Sequence, residues 1–155
     1  MTQAAHKHDH DKCIEQALQT AREICDQRET RFTPLRRSVL ELVWRGHKPV
    51  TAYELLDMLS QQGKKRVAPP TVYRALDFLI EEGLVHRLES LNAFIGCPDP
   101  SHKHQGHFLI CRNCRTVKEV NDKGLHNKIA KVAEDNGYTC EHSMLEIMGL
   151  CDSCR

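Results

Sequence analysis

The chain has 155 residues, 40% of them hydrophobic and 28% charged, with a formal net charge of +1; that length allows one core or two compact units of roughly 60 to 90 residues each. No run approaches the ~18 apolar residues of a membrane span, and the opening MTQAAHKHDHDKC is polar where a secretory leader would be apolar, so a cytoplasmic protein is expected. Eight cysteines in such a chain, four of them in two CxxC pairs, read as metal ligands rather than disulfides.

The small net charge hides an asymmetry. Residues 28–74 hold ten Lys or Arg against four Asp or Glu, whereas the rest of the chain holds twelve against seventeen. A basic segment joined to an acidic, Cys/His-rich remainder implies one part that meets a polyanion and another with a different task.

The HKHDHD stretch near the start is expected to be a mobile tail. Residues 12–28 place Ile14, Ala17, Leu18, Ala21, Ile24 and Cys25 at helical spacing, which predicts an amphipathic helix with Cys25 in its buried stripe. A second helix opens at Thr33 with Pro34 in its first turn, carries Leu35, Val39, Leu42 and Val43, and stops at Gly46. A third begins at Thr51, where Thr51 and Glu54 have capping-box spacing, and ends at Gly63. After the basic turn KKRVAPP a fourth helix starts near Pro70. It turns Val72, Leu76, Leu79 and Ile80 inward and leaves Thr71, Tyr73, Arg74 and Asp77 facing out, with Gly83 as its stop.

LVHRLES and NAFIGC then predict a hairpin turning around Ser90 to Asn92. Helices followed by such a hairpin make a winged helix-turn-helix, whose second helix enters the major groove with its N-terminal residues against base edges. Arg74 is the natural base reader, Thr71 and Tyr73 accompany it, and Lys64 and Lys65 in the preceding turn suit phosphate contacts. The expected partner is double-stranded DNA. Beyond Cys97, HFLIC and TVKEV read as strands, residues 122–136 as a helix and YTCEHSMLEIMG as a third strand. A unit of ~60 residues is marginal alone, so metal, a second subunit or both should support it.

Cys111 with Cys114 and Cys151 with Cys154 supply four thiolates in two CxxC pairs, the donor set of a closed, tetrahedral, structural zinc site. The remaining inventory is His86, Cys97, His102, His104, His107, Glu119 and His142. Metal held by members of this set from both halves would tie the halves together, which is how a sensor works. A thiolate among imidazoles and a carboxylate suits Zn(II), whereas Fe(II) or Mn(II) sensors are better served by nitrogen and oxygen alone. Cys97 therefore discriminates between the metals.

RFTPLRRSVLELV, then APPTVYRALDFLIEEGLVHRLES, then the His-rich loop before CRNC and the closing CDSC together resemble the ferric uptake regulator family of bacterial metal-responsive repressors over nearly the whole chain. PPTVYRALDFL followed by a cysteine just after the hairpin is most similar to its zinc uptake regulator branch. The resemblance implies an α+β fold: a winged-helix DNA-binding domain, residues 1–91, then a small α/β metal-binding dimerisation domain, residues 92–155. It implies a homodimer, Zn2+ at two or more sites per chain, and a regulatory site on His86, Cys97, His104 and Glu119. The loop HKHQGH departs from the family's denser HHHDH-type run, which leaves open His102 in place of His104, or a further site drawing on His102, His107 and His142.

The leading expectation is a zinc-responsive transcriptional repressor in which bound zinc favours a closed dimer that fits operator DNA. The alternatives are an Fe(II)-responsive repressor of the same family and a zinc-ribbon module without regulatory function. No enzyme is expected, since neither HEXXH nor the HxE followed by PCxxC arrangement of zinc deaminases occurs in the chain. Neither a small organic substrate nor a membrane is expected as a partner.

Overall fold

The computed structural model describes residues 9–46, 48–63, 66–100 and 106–155. The sequence expectations for His6, Lys7 and His8 of the N-terminal HKHDHD stretch, Lys64, Lys65, His102 and His104 lie outside these residues; of the rest of that stretch, expected as a mobile tail, Asp9 is the N-cap of the first helix and His10 and Asp11 open it. The chain divides into two compact units at Ser101–His102.

In the first unit, four helices precede a hairpin: α1 His10–Gln27, α2 Pro34–Trp44, α3 Ala52–Gln61, α4 Pro69–Glu81, β1 Val85–Leu88 and β2 Ala93–Gly96. Each helix start follows from local chemistry. Thr33 accepts a hydrogen bond from the Arg36 backbone ahead of Pro34, and Thr51 and Glu54 close a full capping box at 3.2 and 2.7 Å. Pro69 and Pro70 occupy the first turn of α4, where a missing N–H costs nothing. At its other end Gly83 has φ +75° and Leu84 N–H bonds to the Leu79 carbonyl at 2.8 Å, the left-handed closure that glycine favours.

Val39, Leu42 and Val43 of α2, Leu55 and Leu59 of α3, and Val72, Leu76 and Leu79 of α4 form one core, joined by Ala21 and Ile24 of α1 and by Val85 and Phe94 of the hairpin. Ala75 completes the inner face of α4 and Ile80 is half-buried, while Thr71, Tyr73, Arg74 and Asp77 face outward as expected. Arg28, just after α1, donates to the Glu82 carboxylate at 2.8 Å and to its carbonyl at 2.9 Å, although Glu82 is only 8% exposed. That pair ties the end of α1 to the end of α4. The Arg36 guanidinium also lies 3.6 Å over the Phe78 ring, joining α2 to α4.

The hairpin pairs antiparallel with His86 opposite Ile95, turning through a short 3-10 segment at Glu89–Leu91 and a left-handed Asn92, φ 45°. Val50, between α2 and α3, adds a bridge to Phe94 through two hydrogen bonds of 2.9 and 2.8 Å. The sequence gives no sign of this bridge, because a single residue has no periodicity. The first unit extends past the 91/92 division expected from sequence, for β2 pairs with β1 and Cys97 N–H continues the ladder to the Leu84 carbonyl at 2.9 Å.

The second unit holds β3 Gly106–Cys111, β4 Val117–Glu119, α5 Lys123–Asp135 and β5 Met144–Gly149, with strand order β4-β3-β5. β3 pairs antiparallel with β4 and parallel with β5. Asp122 caps α5 by accepting from Leu125 N–H at 3.0 Å. The third strand begins at Met144, not at Tyr138. Gly137 turns the chain at φ +81°, and Met144 is the residue that meets Gly106, the first residue of β3. α5 has an apolar stripe yet no fully buried residue; Val132 is 63% exposed.

Candidate metal centres and nucleic-acid interface

Cys111 ends β3, Cys114 follows in a turn closed by Arg115 N–H on the Cys111 carbonyl at 2.9 Å, and the left-handed Arg115, φ 59°, sends the chain back into β4. β5 runs beside β3 and delivers Cys151 to the same end, where Cys154 N–H closes a matching turn on the Cys151 carbonyl at 2.9 Å. All four sulfurs lie within 4.8 Å of one another. A tetrahedral zinc with Zn–S bonds of about 2.3 Å spaces its sulfurs about 3.8 Å apart; Cys114 and Cys151 are 3.7 Å apart. That is far beyond a disulfide bond, and none of the eight cysteines is in a disulfide.

The protonation of the cluster supports the same reading. Backbone N–H groups, first that of Cys114 and then that of Cys151, pull the Cys111 thiol down to about 6, and the Thr116 hydroxyl lowers Cys114. Cys151 is pushed up to about 12, chiefly by its hydrogen bond with Cys154. Cys111 is thus favoured as a thiolate near neutral pH while Cys151 holds its proton. A dication is what lets all four ionise together.

On the hairpin, the register puts Leu84, His86, Ile95 and Cys97 on one face, since directly opposed residues share a face and the side chains alternate along each strand. His86 and Cys97 are diagonal neighbours there, and their ligand atoms lie within 4.8 Å. Cys97 is 3% exposed and His86 half-buried. One imidazole and one thiol at this distance form half of a tetrahedral zinc site. In the second unit Glu119 ends β4 opposite Phe108 and is half-buried. His107 is buried in β3 with its Nε2 without a hydrogen-bond partner, and His142 is exposed. Neither belongs to a group of three or more ligand atoms among the described residues.

Thr71, Tyr73 and Arg74 stand exposed in the first two turns of α4, where a groove-reading helix needs them. Sequence reasoning passed over Tyr53, which is 83% exposed in the first turn of α3. Its signal was its place off the Ala52, Leu55, Leu59 stripe: an aromatic on the polar side of a helix in a basic unit.

The sequence pattern of the ferric uptake regulator family matches residues 27–148. The chain belongs to the ferric uptake regulator family. It is 38% identical over 143 residues to the zinc uptake regulation protein of Escherichia coli (strain K12), covering 90% of this chain and 82% of that one. It is 32% identical over 108 residues to the protein of the same name in Mycobacterium tuberculosis (strain ATCC 25618 / H37Rv), covering 68% of this chain and 79% of that one. Among solved structures it superposes on a zinc uptake regulator complexed with zinc and DNA with a TM-score of 0.85 at 38% identity, covering 90% of this chain and 93% of the other. The membership accounts for the mixed helix and sheet fold with its winged DNA-binding unit, and it makes the chain a regulator rather than an enzyme. No helix among the described residues is long and apolar enough to cross a membrane.

Proposed function

We propose that the protein is a zinc-responsive transcriptional repressor of zinc-uptake genes, acting in the cytoplasm as a homodimer on double-stranded operator DNA. The observation that carries this is the His86–Cys97 pair on the hairpin that directly continues the reader helix. A thiolate–imidazole pair favours Zn(II) over the Fe(II) of the alternative reading. The similarity to the E. coli zinc uptake regulation protein, and to a zinc uptake regulator complexed with zinc and DNA, supports the same metal and partner.

Two zinc sites divide the work. Cys111, Cys114, Cys151 and Cys154 hold a structural zinc within the second unit. His86 and Cys97 from the first unit, with His104 and Glu119 from the second, bind an exchangeable zinc; His102, His107 and His142 remain a reserve for a further site. Bound there, zinc supplies a divalent cross-link that neutralises the Cys97 thiolate and the Glu119 carboxylate together. Ligands drawn from both units favour a closed dimer. Moving such an equilibrium from 1:99 to 99:1 takes ~5.5 kcal/mol of differential affinity.

The mechanical path is short. Glu82, held by Arg28, ends α4; Gly83 turns the chain; Leu84 accepts from Cys97 N–H; and His86 follows two residues later. Fixing His86 and Cys97 therefore fixes the hairpin on which α4 terminates, and Arg74, Thr71 and Tyr73 meet base edges while Lys64 and Lys65 meet phosphates. The exposed apolar side chains of the second unit, Val132 on α5 and Ile147, Met148 and Leu150 around β5, suit burial against a second copy of this chain.

Fluorescence anisotropy with operator and scrambled duplexes tests the reading. Zinc should tighten operator binding much more than scrambled binding, and by linkage operator DNA should raise the affinity for exchangeable zinc. Activation by Fe(II) but not zinc would favour the alternative regulator, and DNA binding indifferent to any metal would defeat both.

A further inference from the structure

We propose that a cavity inside the first unit is the access route by which exchangeable metal reaches Cys97, and that Cys13 is the thiolate that captures the metal on the way. The proposal rests on the reading of Cys97 as a ligand of the exchangeable zinc. At 3% exposure Cys97 offers a hydrated ion little surface for direct encounter.

A cavity of about 380 Å3 runs between α1, α2 and the segment after β2, with both Cys13 and Cys97 in its lining. Cys13 lies in the first turn of α1 and is partly exposed, so one wall of the cavity carries a thiol that solvent reaches and another carries the buried ligand. The Asp99 carboxylate, exposed beside Cys97 in sequence, also lines it and adds a charge that attracts cations. The chain's one tryptophan fixes the wall. Trp44 lies so close to Gly96 that a Cβ there would come within 2.4 Å of the indole, which pins the residue preceding Cys97 against α2.

Cys13 belongs to no group of three or more ligand atoms among the described residues. Its role is kinetic. The transfer is a ligand exchange without redox change: the Zn–S bond to Cys13 breaks as the Zn–S bond to Cys97 forms, the Cys97 proton leaves to solvent, and Cys13 takes a proton back. Sulfur at both ends keeps the ion in a donor environment that zinc favours while its water shell is stripped.

Two measurements on the full-length protein with its structural zinc in place test this. In stopped-flow zinc uptake, and in zinc release to a chromophoric chelator, Cys13→Ser should slow association and dissociation alike by about tenfold with the equilibrium affinity unchanged, because a lost path alters the barrier and not the end states. In metal-depleted regulatory sites, Ala17→Phe, which fills the cavity one helical turn from Cys13, should slow iodoacetamide alkylation of Cys97, read by mass spectrometry, while leaving that of Cys140 unchanged. Ala17→Leu serves if the larger residue unfolds α1. Unchanged rates in Cys13→Ser, or Cys97 alkylated as fast with the cavity filled, would overturn the route; a weakened equilibrium affinity in Cys13→Ser would make Cys13 a ligand and overturn its kinetic role. The reading of Cys97 fails separately, if Cys97→Ser keeps the exchangeable zinc at parental affinity.

Discussion

The two units are held together by different physics. The first has an apolar core drawn from all four helices and the hairpin, with Leu55, Leu76 and Leu79 fully buried. The second has a three-stranded sheet whose helix buries no residue completely and whose cysteines converge at one end. A leucine withdrawn from water contributes about 1.5–3 kcal/mol, and the first unit collects many such contributions. The second collects fewer, chiefly from Phe108 and Ile110, and on the proposed reading metal and a second copy supply the rest. On that reading a repressor gains from the division, for the reader should stay folded whatever the metal supply while the assembly that aligns two readers depends on it.

The sharpest break in the comparison is removal of a cysteine. Structural zinc sites contribute ~10–16 kcal/mol to folding, and Cys114 sits 3.7 Å from Cys151 in the cluster. Cys114→Ser should therefore abolish the tightly held zinc, unfold the second unit and leave monomers with a first unit that still folds. Hydrogen exchange and size-exclusion chromatography read this directly. A dimer of normal zinc content would remove the basis of the comparison.

The counterpart in the first unit is Arg28. Glu82 is buried and its carboxylate is met by the Arg28 guanidinium at 2.8 Å. Breaking such a pair on one side leaves an uncompensated charge and costs about 3–5 kcal/mol, moderated here because Arg28 is itself one-third exposed. Arg28→Ala should lower the melting temperature of the first unit with little effect on the structural zinc. Arg28→Ala with Glu82→Gln should recover part of the loss. If the double variant melts lower still, the pair is not the cause.

A smaller effect belongs to the reader surface. Arg74→Ala should cost roughly 1–3 kcal/mol on operator DNA and relax base preference, with the fold and both zinc sites intact. Binding curves on operator and random duplexes separate the cases: equal losses on both would reduce Arg74 to a phosphate contact.

How much of this was legible in the sequence depends on the range of the interaction. The helices were visible because caps and stops are local: Thr33, Thr51 and Gly83 act within one turn of themselves, and the structure places them where spacing put them. The four-cysteine cluster was visible because CxxC fixes each half of the site locally, leaving only one pairing to make. The Val50–Phe94 bridge, the Arg28–Glu82 pair and the Trp44–Gly96 contact were not visible, since each joins residues more than forty positions apart with no repeating pattern. The start of β5 was misplaced for a related reason. Tyr138 to Ser143 has strand-like composition, but a strand exists only where a neighbour pairs with it, and β3 begins at Gly106 opposite Met144.

The finest test compares one interaction in both units. Thr51 and Asp122 cap α3 and α5 by accepting from the N–H of the third helical residue at 3.2 and 3.0 Å, the Thr51 hydroxyl also donating to the Glu54 carboxylate at 2.9 Å, and replacing either cap by Ala costs about 0.5–2 kcal/mol. The intrinsic losses are alike, but their consequences differ. Thr51→Ala weakens a helix locked into a shared core, so it should lower the first unit's stability independently of protein concentration and of zinc. Asp122→Ala weakens a helix whose apolar stripe is only partly buried within its own unit; if a second copy covers the rest, its loss should be linked to subunit association and should shrink as protein or zinc concentration rises. Thermal melts at two protein concentrations, with and without excess zinc, distinguish the two patterns. Identical concentration dependence for both variants would mean that α5 is stable by itself and that the contrast between a core-built unit and an assembly-built one is drawn in the wrong place.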